Sequence, residues 1–310
     1  MDQDWKRIII LYGDFSDKIN WKQQRLIDGG ATCGYREYAK KFGEIVYLSP
    51  QKVKESWEHS ITQMDDVLSF IRERPESIVW SVKTSVVKDI ILSKIPNKKV
   101  YYSCNSKNRY NSVCDISLVD TQGRLKGVPN GHVWFKGKDP DYWHSSSKEK
   151  EFDYILVGTR GDKNEVYFIN KLNNIIEKRK GLWVGGKKFE DKIKSNHKIF
   201  LTEFVGQSQV RDYIGKSKVG IVFTELVVEG FPQTFLEMTM CGVPVVYNIS
   251  GPKNDFYFHK HNHLFTTKKD LVDSAEKLLA NHNSELCRED AVNNYSLEKS
   301  YEGILQCLKL

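Results

Sequence analysis

The 310-residue chain is 40% hydrophobic and 28% charged, an ordinary globular composition with room for two domains. No apolar run approaches the roughly 20 residues that span a bilayer, and the amino terminus runs into a strand too soon for a signal peptide, so a cytoplasmic protein is expected. The net charge of +7 is uneven: residues 1–150 carry 25 Lys and Arg against 19 Asp and Glu, which suits either an anionic partner or a lysine-rich solvated surface.

Six cysteines (Cys33, Cys104, Cys114, Cys241, Cys287, Cys307) are scattered without a CxxC pair. That argues against a zinc cluster and against a disulfide framework. In chain order, Arg7–Tyr12 reads as a buried strand, and Gly29-Gly30 precedes a helix over Tyr35–Phe42 that Gly43 ends. Glu44–Leu48 is a second strand, Asp65–Arg74 a helix and Ser77–Trp80 a third strand. Val86–Leu92 is a helix and Lys99–Tyr102 a fourth strand, followed by a less regular region with a short strand at Ile116–Val119 and a turn at Pro129-Asn-Gly131. This alternation predicts a βαβ-type parallel sheet.

The polar run His144–Glu151 reads as a linker. A second alternating region follows: a strand over Phe152–Val157 ended by Gly158, a helix over Val166–Lys178, and a strand over Gly181–Val184 ended by Gly185-Gly186. Then come a short helix at Val210–Ile214, a strand at Val219–Thr224, another at Val243–Asn248, and helices at Leu271–Ala280 and Leu297–Leu308.

Between the strands around 219–224 and 243–248 lies Glu229-Gly230-Phe231-Pro232-Gln233-Thr234-Phe235-Leu236-Glu237. Pro232 suits the first position of a helix, where no N–H is needed. The amides of Gln233, Thr234 and Phe235 would then face outward at a helix amino end, a natural phosphate site. Gly230 lets a ligand approach the turn closely. Glu229 and Glu237 can accept hydrogen bonds from sugar hydroxyls. A capped helix with surface carboxylates is the plain alternative for either glutamate alone.

The combination resembles the retaining glycosyltransferases of the glycogen-synthase-like superfamily, whose pattern is E-G-F-x-x-x-x-L-E-A-x-x-x-G-x-P-V-V. This chain supplies Glu229, Gly230, Phe231, Leu236, Glu237, Gly242, Pro244, Val245 and Val246 in register, with Met238 at the usual small position. The resemblance implies an α/β GT-B architecture, two Rossmann-like domains facing each other across a cleft. Residues 1–147 would be the acceptor-side domain and residues 148–294 the nucleotide-sugar-binding one, with a helix over about 295–310 packing back onto the first.

The resemblance also implies roles. Lys163 and Arg160 would neutralise the donor diphosphate, with Thr159 where arginine is commonest. Gly30 belongs to a glycine-rich loop near the donor phosphates or acceptor. Glu229 is the catalytic-site carboxylate that positions the sugar, and Glu237 anchors the nucleoside. The donor is a nucleotide-diphosphate sugar, with UDP-sugar expected, and no metal is required.

Two other clusters invite a metal. Asp139-Pro-Asp141 is an Asp-x-Asp at a proline-broken turn, and His259-Lys-His-Asn-His263 alternates three imidazoles without a fourth ligand; both read more simply as structural. The functional expectation is a hexosyl-transferring enzyme acting on a hydroxyl acceptor. An anionic polymer, either hydroxymethylated DNA or a cell-envelope polymer, suits the basic first half. Trp21, Tyr35, Tyr38, Trp57 and Tyr110 are available to stack on bases or to fill a core. A nucleotide-sugar epimerase of the same fold and a catalytically silent sugar- or nucleic-acid-binding module are the alternatives.

Overall fold

A computed structural model describes residues 7–13, 31–82, 85–102, 111–120, 122–145, 147, 149–158, 166, 170, 179–193, 198–224, 233–249, 261–264, 268–281 and 283–310. The chain divides into two compact units, Met1–Lys136 with Ser300–Leu310, and Gly137–Lys299.

In chain order the first unit contains β1 (Ile8–Tyr12), α1 (Ala31–Phe42), β2 (Gly43–Tyr47), β3 (Glu58–Ser60), α2 (Met64–Arg72), β4 (Ile78–Val82), α3 (Val86–Ser93), β5 (Lys99–Tyr102), β6 (Ile116–Val119), α4 (Gln122–Leu125) and β7 (Gly131–Val133). Its seven strands run in the order β3-β2-β1-β4-β5-β6-β7, every pair parallel. Ile8 pairs with Gly43 on one side and Ile78 on the other. Ile8, Ile9, Ile10 and Leu11 are all fully buried, as a central parallel strand covered on both faces requires.

The two faces of this sheet differ in chemistry. One packs aliphatic residues, Ile9, Leu11, Val46 and Val79 against Val67, Leu68 and Ile71 of α2 and Ile91 and Leu92 of α3. The other is aromatic: Tyr35, Tyr38 and Trp134 meet the Trp80 ring at 5.4, 5.2 and 5.4 Å between centroids. All three contacts are edge-on, the arrangement the ring quadrupoles favour. Tyr35 and Tyr38 therefore fill the core and present no surface for stacking on bases. Trp57 is half-buried under the Arg36 guanidinium, while Trp21 and Tyr110 lie outside the described residues.

Gly43 ends α1 as the sequence suggests, and the reason is packing. A Cβ there would overlap the main chain of Ile8 across the β1–β2 pair, so only glycine admits so close an approach.

The second unit contains β8 (Phe152–Val157), β9 (Gly181–Val184), a 3-10 turn (Lys187–Lys192), β10 (Ile199–Leu201), α5 (Gln207–Gly215), β11 (Ser217–Thr224), α6 (Gln233–Met240), β12 (Val245–Ile249), β13 (His263–Leu264), α7 (Lys268–Asn281) and α8 (Ser284–Tyr295). Six strands run in the order β10-β9-β8-β11-β12-β13, again all parallel. Tyr154, Leu156, Trp183, Val219, Ile221 and Val246 pack against Leu271, Val272, Ala275 and Leu278 of α7. A final helix, α9 (Leu297–Leu308), starts in this unit and finishes in the first.

α8 was not expected from the sequence. Its buried residues, Cys287, Ala291 and Tyr295, make a single narrow stripe on a helix whose other residues are mostly polar, and Asn283 Oδ1 caps it by accepting from Leu286 N. β3, β10 and β13 are two or three residues long, too short to show a period. Of the expected helix at 166–178, only residues 166 and 170 are described, and both are helical.

Candidate functional site

Both sheets reverse their strand order once, and in the second unit the reversal falls between β8 and β11. Open parallel sheets bind ligands outside the carboxyl ends of the strands at that point. The chain leaves β8 through Gly158 toward Arg160 and Lys163, and leaves β11 at Thr224 toward Glu229–Pro232. The two stretches expected to carry the chemistry thus depart from the two strands that flank the crevice.

Gly30, Arg160, Lys163, Glu229, Gly230, Phe231 and Pro232 lie outside the described residues. Gln233 and Thr234 are the first two residues of α6, and Glu237 stands one turn later on the same helix.

The exit from β8 is fixed by its neighbours. Gly158 has φ +145°, a region open in practice to glycine alone. Its amide donates to Val184 O at 3.1 Å, and its carbonyl accepts from Trp183 Nε1 at 3.1 Å. Gly186 lies where a Cβ would overlap the Trp183 ring, which explains the glycine pair after β9.

α6 explains most of the motif residues physically. It ends in a Schellman motif: Gly242 N donates to Thr239 O and Val243 N to Met238 O, both at 2.9 Å. Gly242 has φ +72°, and a Cβ there would sit 2.7 Å from Ser284 O. The carbonyl of Pro244 accepts from Gly220 N at 2.9 Å, so the residue after the helix joins the main chain of β11. Met238, at the position where the resembling family carries a small residue, fills the space over Gly220. A Cβ on Gly220 would overlap its sulfur.

Glu237 is held from a distant part of the sequence. Its Oε1 accepts from Lys138 Nζ at 2.8 Å, with the side chains 13% and 2% exposed. The ammonium also lies 5.2 Å from the centre of the Trp143 ring. The main chain of Lys138 is clamped as well: its amide donates to Tyr295 O at 3.1 Å and its carbonyl accepts from Leu297 N at 2.9 Å. Arg288 of α8 completes the clasp. Its Nη1 donates to Trp143 O at 2.7 Å and to Met240 O, and its Nη2 donates to Pro140 O at 2.9 Å.

Neither Lys138 nor Arg288 was singled out from the sequence, because nothing local to either marks it. Nearby, burial pushes the Cys241 thiol up to about 12, with the Arg288 charge acting to lower it. It is a protonated apolar side chain rather than a nucleophile.

Of the two metal-like clusters, the first is a turn and the second lies partly outside the described residues. Asp139 Oδ1 accepts from Asp141 N at 3.0 Å, closing the proline turn on itself. His259 is outside the described residues. His263 belongs to the edge strand β13, and Asn262 between them is buried, with its Oδ1 accepting from Val245 N at 2.7 Å. Among the described residues no group of three His, Cys, Asp or Glu side chains is gathered to hold a metal ion, and no helix is long and apolar enough to cross a membrane.

Residues 152–281 match the family described as "Glycosyl transferases group 1". No curated protein sequence is similar enough to match. Among solved structures, a glycosyltransferase from Rickettsia africae is similar over 98% of each chain at 15% identity, with a TM-score of 0.69. HepE of Anabaena, solved with UDP and glucose, is similar over 98% of this chain and 99% of its own at 13% identity and a TM-score of 0.65. An alpha-glucosyltransferase solved with UDP and a 13-mer DNA containing a central A:G mismatch is similar over 99% of this chain and all of its own, at 12% identity and a TM-score of 0.69. At such identities the likeness establishes a fold. The match to the group 1 glycosyltransferases thus lies in residues 152–281, and the two parallel sheets give the chain a GT-B-like fold.

Proposed function

We propose that the chain transfers a hexose from a nucleoside-diphosphate sugar, UDP-sugar foremost, to a hydroxyl acceptor with retention at the anomeric carbon. The observation that carries this reading is the placement of α6. Its amino end follows directly on the stretch that leaves β11 at the strand-order reversal, and its Glu237 is oriented one turn in.

Negative charge grows on the leaving diphosphate as the glycosidic bond breaks. Groups fixed before the reaction stabilise that charge more in the transition state than in the ground state. The amides of Gln233 and Thr234 stand in the first turn of α6, at the positive end of the helix dipole. With Lys163 and Arg160 they would supply this stabilisation without a metal. Glu229 would position the sugar and Glu237 would accept from the ribose hydroxyls. The leaving phosphate would take the acceptor proton.

The acceptor reading is an anionic polymer, on the strength of the positive charge of residues 1–150. Hydroxymethylated DNA and a cell-envelope polymer are the two candidates.

The test incubates the protein with a panel of nucleotide sugars, with and without hydroxymethylated DNA or a cell-envelope fraction, and follows released nucleoside diphosphate. Acceptor-dependent release that is lost in Glu229→Ala supports the transferase and identifies the acceptor. Conversion of the donor sugar without any acceptor would indicate the epimerase. Binding without turnover of any donor would indicate the silent module.

A further inference from the structure

We propose that Lys138 is a positioning residue of the donor site: it holds the Glu237 carboxylate in the one orientation that reads a ribose diol, and so sets the preference for ribonucleotide over 2′-deoxyribonucleotide donors. The inference rests on the reading above, in which Glu237 meets the ribose.

Three observations carry it. The ammonium binds only one of the two carboxylate oxygens, Oε1 at 2.8 Å, and Oε2 has no partner among the described residues. A carboxylate pinned through one oxygen has its remaining lone pairs aimed in a fixed direction. Both side chains are largely withdrawn from water, and the ammonium is the counter-charge to the carboxylate. A neutral diol can then be bound without leaving a lone buried charge. Finally, the cation does not drift. Its main chain is bonded on both sides to the α8–α9 junction through Tyr295 and Leu297, and its amine lies against Trp143.

Discrimination follows from hydrogen-bond accounting. A site whose acceptors are fixed and partly buried loses affinity for an analogue that lacks the matching hydroxyl, because the acceptor is left unpaired. A carboxylate free to turn away from the missing hydroxyl would pay less attention to the difference. Lys138 supplies the constraint.

The experiment measures donor KM and kcat for the wild type, Lys138→Met, Glu237→Gln and the double variant, with a UDP-sugar and its 2′-deoxy counterpart. Lys138→Met is expected to raise the KM for the ribo donor about tenfold or more while kcat changes little, and to lower the ribo-to-deoxy ratio of kcat/KM about as far as Glu237→Gln does. In the double variant both effects equal those of Glu237→Gln alone, since Lys138 acts through the carboxylate.

If Lys138→Met does not fold, the double variant, which buries no unpaired charge, carries the test. An added loss beyond Glu237→Gln would overturn the inference. So would a Lys138→Met enzyme with an unchanged ribo-to-deoxy ratio. A wild type that turns over no nucleotide sugar would instead remove the transferase reading itself, and a Glu237→Gln variant with wild-type KM and ratio would remove the ribose contact.

Discussion

Replacing Gly220 by alanine places a methyl group where the Met238 sulfur lies, 3.2 Å from Val245 Cγ2 and 3.4 Å from Met238 Cγ. Met238 is fully buried, so the added carbon displaces packed atoms, at a cost of about 1–3 kcal/mol. Met238→Ala alone removes the thioether and leaves a cavity, at about 2–5 kcal/mol. In the double variant the new methyl occupies part of the vacated volume. The two losses should therefore fall short of additivity by at least about 1 kcal/mol. Opening free energies from hydrogen exchange of the β11 and β12 amides isolate the second unit from the first, which a global melt does not. Additivity to within about 0.5 kcal/mol would refute the claim that Met238 fills the space a side chain at 220 would take.

Arg288→Met keeps the aliphatic stem and removes three charge-assisted hydrogen bonds to main-chain carbonyls. It should lower protection of the α6 amides by about 3 kcal/mol, roughly a hundredfold in exchange rate, and unchanged protection would show the clasp to be idle. Gly242→Ala should cost about 2 kcal/mol or more from the positive φ and the approach to Ser284 O together, measured as the shift in the melting temperature.

Alkaline pH should destabilise the protein through its buried thiols. Burial raises Cys114, Cys241 and Cys287 from 9.0 to about 12, so the unfolded chain ionises first. The stability these thiols contribute is full below pH 9 and is lost between 9 and 12. The melting temperature at pH 10.5 should lie below that at pH 8, and Cys241 and Cys287 should resist iodoacetamide in the native state at pH 8.

The strands legible in the sequence are those buried on both faces. Ile8–Leu11, Val79–Trp80 and Val245–Val246 are continuous apolar runs because every side chain meets protein. α8 was illegible because its three buried residues include a cysteine and an alanine, and its Arg288 works through hydrogen bonds rather than apolar contact. Within the site, Glu237 announced itself through local spacing, whereas Lys138 is 99 positions away and is brought to it only by the tertiary fold. Gly220 likewise has no signature in its own strand. Its need for hydrogen in place of a side chain comes from a methionine on another element. Local pattern identifies residues that meet the ligand or the core in sequence order, and it is blind to those that act through a partner.

The passage of α9 from one unit to the other bears on how the protein is made. Trp134 Nε1 donates to Ser300 O at 2.7 Å, the Tyr38 hydroxyl bonds Ser300, and Tyr301 stacks on Phe42 at 4.4 Å between centroids. The aromatic face of the first unit is therefore closed by residues translated after the entire second unit. Domains emerging from a ribosome ordinarily complete themselves in order of synthesis. Here the second unit has all its residues first, while the earlier-born unit waits with Tyr38, Phe42 and Trp134 uncovered. Stalled nascent chains that end before Ser300 should consequently hold a protease-resistant second unit and a protease-sensitive first one.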